Sequence, residues 1–160
     1  MAAFQKVYEE YARSVYRFLL SLTGEETLAE ELLQETFYQA LQHIDRFEGR
    51  CSLYTWLCQI GKNAWYKELK RKKRYSEDSL TELKLSFDAN LEGNAIKSEE
   101  LWRIRQAIGR LQEPYREVFI MHALGEVKLK EIAQLYGKSE SWARVTYFRA
   151  KQQIVQEVSK

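Results

Sequence analysis

"KSESWARVTYFRAK", Lys138 to Lys151, decides how the C-terminal half of this chain is read. Ser139 is a good N-cap, because its hydroxyl can accept from a first-turn amide and aim the remaining free amides at an anion. From there Ala143, Tyr147, Ala150 and Ile154 recur at spacings of 4, 3 and 4, the signature of one buried helical face. The outward face then holds Arg144, Val145, Phe148, Arg149 and Gln152, with Ser141 and Lys151 beside it. No acidic residue occurs between Ser141 and Gln156, whereas an ordinary solvated helix mixes charges of both signs. Arginine forks in such a face can clamp phosphates or bridge guanine O6 and N7.

Upstream lie a short helical pattern, "KLKEIAQLY", and then Gly137. Short helix, glycine turn and longer helix make a helix-turn-helix, whose second helix enters the major groove. Ile132 and Ala133 are the expected seat for the 143–147–150–154 face. Lys128 stands where Ser, Thr or Asp would cap the short helix, so that cap is weak. Two more helices precede it. One is capped by Ser98 and turns Leu101, Ile104, Ile108 and Leu111 inward. The other opens at Pro114, buries Val118, Phe119 and Leu124, and stops at Gly125.

The N-terminal half reads as three helices. Phe4, Val7, Tyr8, Tyr11, Val15, Phe18, Leu19 and Leu22 form a stripe that Gly24 ends. "TLAE", Thr27 to Glu30, is a capping box for a second helix with Leu28, Leu32, Phe37, Leu41 and Ile44 inward. Ser52 caps a third, burying Leu53, Trp56, Leu57, Ile60 and Ala64. That helix runs into "KNAWYKELKRKKRY", where Trp65, Tyr66 and Tyr75 alternate with seven basic side chains. Aromatic faces stack on unpaired bases while basic groups follow the backbone, and the loop "RFEGRCSLYT" just before can form a pocket for a flipped base. A basic helix end favoured by its dipole would show the same charges.

Charge is segregated along the 160 residues. The net +2 divides into −4 over residues 1–61, +6 over 62–75, −5 over 76–100 and +5 over 101–160. Two basic blocks separated by an acidic one point to two polyanion sites. Residues 76–98 have weak periodicity and small polar residues, so they read as a linker with one helical turn around Leu80 to Leu85. The expected architecture is therefore all-α: helical domains at residues 1–75 and 99–160, joined by a flexible acidic linker. No run approaches the ~18 apolar residues that span a bilayer. Acidic residues near the N-terminus argue against a signal peptide, and a cytoplasmic protein is expected. Cys51 and Cys58 lack metal-ligand spacing and read as reduced thiols. Glu30, Glu31, Gln34, Glu35 and Tyr38 share a helix face, but no histidine stands at a matching offset. Neither a metal, a cofactor nor a catalytic site is expected.

These segments resemble a family. "AEELLQETFYQALQHIDRFEGRCSLYTWLCQIGKNAWYKELKRKKR" looks like region 2 of bacterial sigma factors of the extracytoplasmic-function group, and "EPYREVFIMHALGEVKLKEIAQLYGKSESWARVTYFRAK" looks like region 4. The match is in order and covers nearly the whole chain. The resemblance implies a non-enzymatic promoter-specificity subunit of RNA polymerase. It implies that Glu31, Gln34, Glu35, Phe37 and Tyr38 form or support a face for the polymerase β′ coiled coil, with the β flap as a further contact. Phe47, Tyr54, Thr55, Lys62 and Asn63 would surround a base flipped from the −10 element, with Tyr66, Lys67, Lys70 and Arg71 along the opened strand. Ser139, Ser141, Arg144, Val145, Phe148, Arg149 and Lys151 would meet the −35 element. The family is commonly held in check by an anti-sigma protein, often membrane-bound. Glu31 replaces the family's usual aspartate, and Trp142 and Tyr147 stand where a small residue and a leucine are usual. Trp142 falls beside the core stripe, where it would prop the recognition helix or brush the DNA backbone.

Two other readings compete with this one. A stand-alone helix-turn-helix regulator would have no use for stacking aromatics after Asn63. A helical adaptor without nucleic acid would need neither basic block.

Overall fold

The computed structural model describes residues 2–76 and 95–160. Within them every regular element is helical. Helix α1 is Ala2–Thr23, α2 is Glu26–His43 and α3 is Leu53–Ser76, with a single 3-10 turn, Ile44–Arg46, after α2. Helix α4 is Ala95–Arg110 and α5 is Tyr115–Phe119, which widens into a π turn over Ile120–Leu124. Helix α6, Leu129–Leu135, and α7, Glu140–Val158, complete the chain.

Helices α1 to α3 form the first bundle. Val15, Phe18, Leu19 and Leu22 of α1 are buried against Ala29, Leu32, Phe37 and Ala40 of α2 and Leu57, Cys58, Ala64 and Trp65 of α3. Each large apolar side chain so buried contributes about 1.5–3 kcal/mol. The three helices come close together at Gly61. A Cβ there would stand 3.1 Å from both Leu19 Cδ2 and Thr36 Oγ1, and Thr36 is itself tied to the Leu32 carbonyl at 2.6 Å.

Several local expectations change. The capping box at Thr27 does not form: α2 starts at Glu26, which puts Thr27 already within the helix, and Thr23 Oγ1 accepts from the Glu25 amide at 3.2 Å. Leu41 and Ile44 stay largely exposed, because the buried face of α2 runs through Ala29, Thr36 and Ala40 instead. Small residues there let α1 and α3 come close, which a search for large apolar side chains overlooks. Ser98 lies inside α4, which begins at Ala95. The proposed turn around Leu80 to Leu85 falls outside the described residues. Ser52 does cap α3, accepting from the Thr55 amide at 3.1 Å.

The second bundle packs α7 across α4, α5 and α6. Its core holds Ala107, Ile108, Leu111, Val118, Ile120, Met121, Val127 and Ile132, with Ala143, Thr146, Ala150 and Ile154 from α7. Thr146 takes the fully turned-in place expected of Tyr147. The Tyr147 ring instead lies half-buried, stacked on Phe119 at 5.7 Å and edge-on to His122 at 4.5 Å. Between α6 and α7 the chain closes a Schellman turn: Lys138 N–H donates to Ala133 O at 2.9 Å and Gly137 N–H to Gln134 O at 3.3 Å. Gly137 has φ of +63°, which the turn demands and glycine adopts freely. The two bundles then meet along α1 and α3 on one side and α4, α5, the π turn and α6 on the other.

Gly61→Leu should destabilise the chain by at least about 2 kcal/mol, read as a lower urea midpoint. Gly61→Ala should stay within about 1 kcal/mol of the parent, since a helix-propensity gain of about that size offsets the tighter contact.

Candidate nucleic-acid interface

Helix α7 presents its acid-free face to solvent. Ser139 accepts from Trp142 N–H at 3.1 Å and fixes the first turn. Ser139, Ser141, Arg144, Val145, Phe148, Arg149 and Lys151 are all exposed, Phe148 at 60%. Phe148 and Val145 leave apolar surface exposed on this face beside the arginines. Arg144 reaches only a long contact with Glu140, 3.5 Å, so its guanidinium remains available. Trp142 lies half-buried with its ring 6.1 Å from that of Tyr136, so it braces the turn from the inner side.

The face of α2 is equally open. Glu31, Gln34, Glu35 and Tyr38 are exposed, Tyr38 at 59%. Phe37 points the other way, buried edge-on against Tyr8 at 4.9 Å and Phe4 at 6.2 Å, so it supports the face from behind.

The third group is divided. Asn63, Lys67, Lys70 and Arg71 are exposed, Arg71 paired with Glu68 at 2.6 Å, and Phe47 lies half-buried with its ring 5.2 Å from Trp56. Thr55 and Lys62, in contrast, are buried and do not face solvent in this arrangement. Thr55 closes the start of α3, where its Oγ1 accepts from Ser52 Oγ at 3.0 Å. Tyr54 and Tyr66 are half-buried: Tyr54 Oη donates to Gly125 O at 2.8 Å, and Tyr66 Oη lies 3.4 Å from Glu113 Oε1. Trp65, read as a base-stacking aromatic, belongs to the core, because α3 turns it towards α1. The side chain of Tyr75 lies outside the described residues.

What meets Tyr54, Lys62 and Tyr66 is the second bundle. Lys62 Nζ donates to Glu117 Oε1 at 2.9 Å and lies 3.5 Å from Tyr136 Oη. Arg116 sits over the Tyr66 ring at 4.0 Å. Burial lowers the Lys62 ammonium's pKa, and the Glu117 charge only partly offsets it. Burial also acts to raise Glu117, but the Lys62 charge and a hydrogen bond from Tyr136 outweigh it and hold the carboxyl below its ordinary range. The two groups stand at ion-pair distance, 2.9 Å. Cys58 is wholly buried, and that burial pushes its thiol up to about 12, with Tyr54 hydrogen-bonded to it. Burial raises Cys51 as well, so neither sulfur has the thiolate character of a reactive cysteine. Beside the contact a groove of about 550 Å³ runs between the bundles, with Leu28, Trp65, Leu69 and Trp102 in its walls and Lys70, Lys72, Lys73, Arg105 and Arg110 around it.

Sequence reasoning missed Glu113, Arg116, Glu117, Gly125, Glu131 and Tyr136, the residues that meet the first bundle. Acids at 113 and 117, one helical turn apart in a basic domain, were the available signal.

Two stretches match the descriptions of one family. Residues 7–75 match Sigma-70 region 2, and residues 101–154 match Sigma-70, region 4. The chain is 32% identical over 152 residues to the ECF RNA polymerase sigma factor SigM of Bacillus subtilis (strain 168), covering 93% of this chain and 91% of that one. The chain belongs to the extracytoplasmic-function sigma factors. The sigma factor YlaC of the same organism is 26% identical over 162 residues, covering 98% of this chain and 92% of its own length. Among solved structures, the sigma factor RpoE of Bartonella quintana in complex with the anti-sigma factor NepR superposes with a TM-score of 0.64 at 21% identity, covering 99% of this chain and 98% of that one. CnrH in complex with the cytosolic domain of CnrY gives 0.60 at 22%, covering 99% and 88%. At those identities the structures establish the fold of this sigma factor. No described helix is long and apolar enough to cross a membrane.

Proposed function

We propose that this sigma factor binds core RNA polymerase through the exposed face of α2 and directs initiation at promoters that α7 and α3 read. Family membership and the acid-free, aromatic face of α7 carry this reading. Its Arg144 and Arg149 would read base edges of a −35 element, with Ser139, Ser141 and Lys151 on phosphates and Val145 and Phe148 against apolar groups such as thymine methyls. Phe47, Tyr54, Thr55, Lys62 and Asn63 would take a base flipped from the −10 element, and Tyr66, Lys67, Lys70 and Arg71 the opened strand. Tyr54, Lys62 and Tyr66 become available for this only when the bundles separate.

The protein would work in the cytoplasm as a specificity subunit without chemistry of its own, the reaction belonging to the polymerase. One structural neighbour, RpoE of Bartonella quintana, was co-crystallised with the anti-sigma factor NepR. The groove between the bundles, apolar in its walls and edged with basic side chains, would suit an acidic segment of such a partner.

Run-off transcription with core polymerase over the host's promoters tests the reading. Failure to bind core enzyme and to direct initiation on any promoter would refute it. Arg149→Ala should weaken −35 recognition by ~1–3 kcal/mol and relax specificity at the contacted base; unchanged promoter choice removes Arg149 from the readout. Glu35→Lys should lower affinity for core polymerase at least tenfold, about 1.4 kcal/mol, in a fluorescence-anisotropy titration. Retained affinity would take the α2 face out of that interface.

A further inference from the structure

Lys62 is the one charged side chain that is fully buried among the described residues, and its partner comes from the other bundle. The contact is not isolated. Ser52 N–H donates to Glu131 Oε1, Tyr54 Oη to Gly125 O at 2.8 Å, and Arg105 Nε to Ser21 O at 3.1 Å. Gly125 brings the π turn so near α1 that a Cβ there would lie 3.4 Å from the Phe18 ring. These polar contacts and an apolar seam thus join halves whose link along the chain is the stretch between Ser76 and Ala95.

We propose that Glu117 is an internal stand-in for a DNA phosphate, holding Lys62 in a closed chain that masks its own strand-binding surface until the bundles part. The assignment of Lys62, Tyr54 and Tyr66 to DNA rests on the function proposed above; the latch itself does not. The geometry makes the two states exclusive. A lysine with no exposed surface, whose ammonium is held by one carboxylate, cannot reach a phosphate without leaving it. Glu117 keeps partial access to solvent, so water can compete for the carboxylate as the contact opens. Arg116 over the Tyr66 ring does the same for stacking, since a guanidinium takes the face that a base would use. The α2 face stays exposed throughout, so a closed chain can still present that surface.

The test uses the full chain without polymerase. By NMR hydrogen exchange, the Ser52 amide, whose acceptor belongs to the other bundle, should be protected in the parent. It should exchange about tenfold faster or more in Glu117→Gln, because a buried lysine without its carboxylate favours opening. Small-angle scattering should show the radius of gyration rising with it. Arg105→Ala, at the opposite edge of the contact, provides a sharper case. It removes a positive charge, yet opening should raise affinity for a fluorescent single-stranded oligonucleotide about threefold or more. Arg103→Ala, which breaks only an exposed pair with Glu99 within α4, should change neither reading. An unprotected Ser52 amide in the parent, unchanged exchange in a folded Glu117→Gln, or weaker or unaltered oligonucleotide binding by Arg105→Ala each overturns the latch. If Glu117→Gln fails to fold by circular dichroism, Arg105→Ala decides. A chain that latches as described but directs no transcription would sink the promoter reading and leave the latch standing.

Discussion

An ammonium group removed from water must be given a counter-charge, and here the nearest one belongs to a different bundle. Removing a lysine from solvent carries a desolvation penalty of several kcal/mol, returned only by a well-placed anion and further hydrogen bonds. Lys62 has the Glu117 carboxylate at 2.9 Å, with the Tyr136 hydroxyl beside it. Much of the relative placement of the halves follows from this. Helix α5 must lie with Glu117 towards α3, α6 must bring Tyr136 alongside, and the π turn between them falls against α1. The pair does not by itself make the chain stable, for an apolar pair of similar volume could do as well. What it supplies is orientation, because few dockings of two helical bundles satisfy one buried charge.

The π turn serves the same end from the backbone side. Its wider ring lets the Gly125 amide bond to the Ile120 carbonyl at 3.0 Å and leaves the Gly125 carbonyl to accept from Tyr54. An uninterrupted α-helix would commit that carbonyl to its own ladder. A widened turn, a glycine and a tyrosine from 71 residues earlier therefore form one structural unit.

Much of this was legible in the sequence, and the rest was not for identifiable reasons. A stripe of large apolar residues gave α1, helical spacing gave Ala143, Ala150 and Ile154 on the inward side of α7 though not Thr146, and Ser52 and Ser139 marked helix starts that their side chains do cap. The exposed face of α7 was readable because charge of one sign is improbable on an idle surface. The buried side of α2 was obscured, since Ala29, Thr36 and Ala40 carry no strong hydrophobic signal. Lys62 misled for a deeper reason. Composition places a lysine in water by default, and only the approach of Glu117 from 55 residues away removes it. Contacts between separately folded segments leave no periodic trace, so Tyr54 and Tyr66 read as free aromatics while their phenols are turned to the other half.

The buried pair also bears on how such a chain can be recombined. Two helical domains, each matching its own family region, invite treatment as interchangeable parts. Yet the first carries a lysine whose environment is completed by the second, and the second carries an acid on α5 that the first neutralises. A hybrid joining this N-terminal half to a C-terminal half without a carboxylate at the matching turn would inherit an orphaned charge at its seam. The two halves are thus tied to one another in chemistry as well as in space, and a change at either end of the ion pair alters what the other end must satisfy.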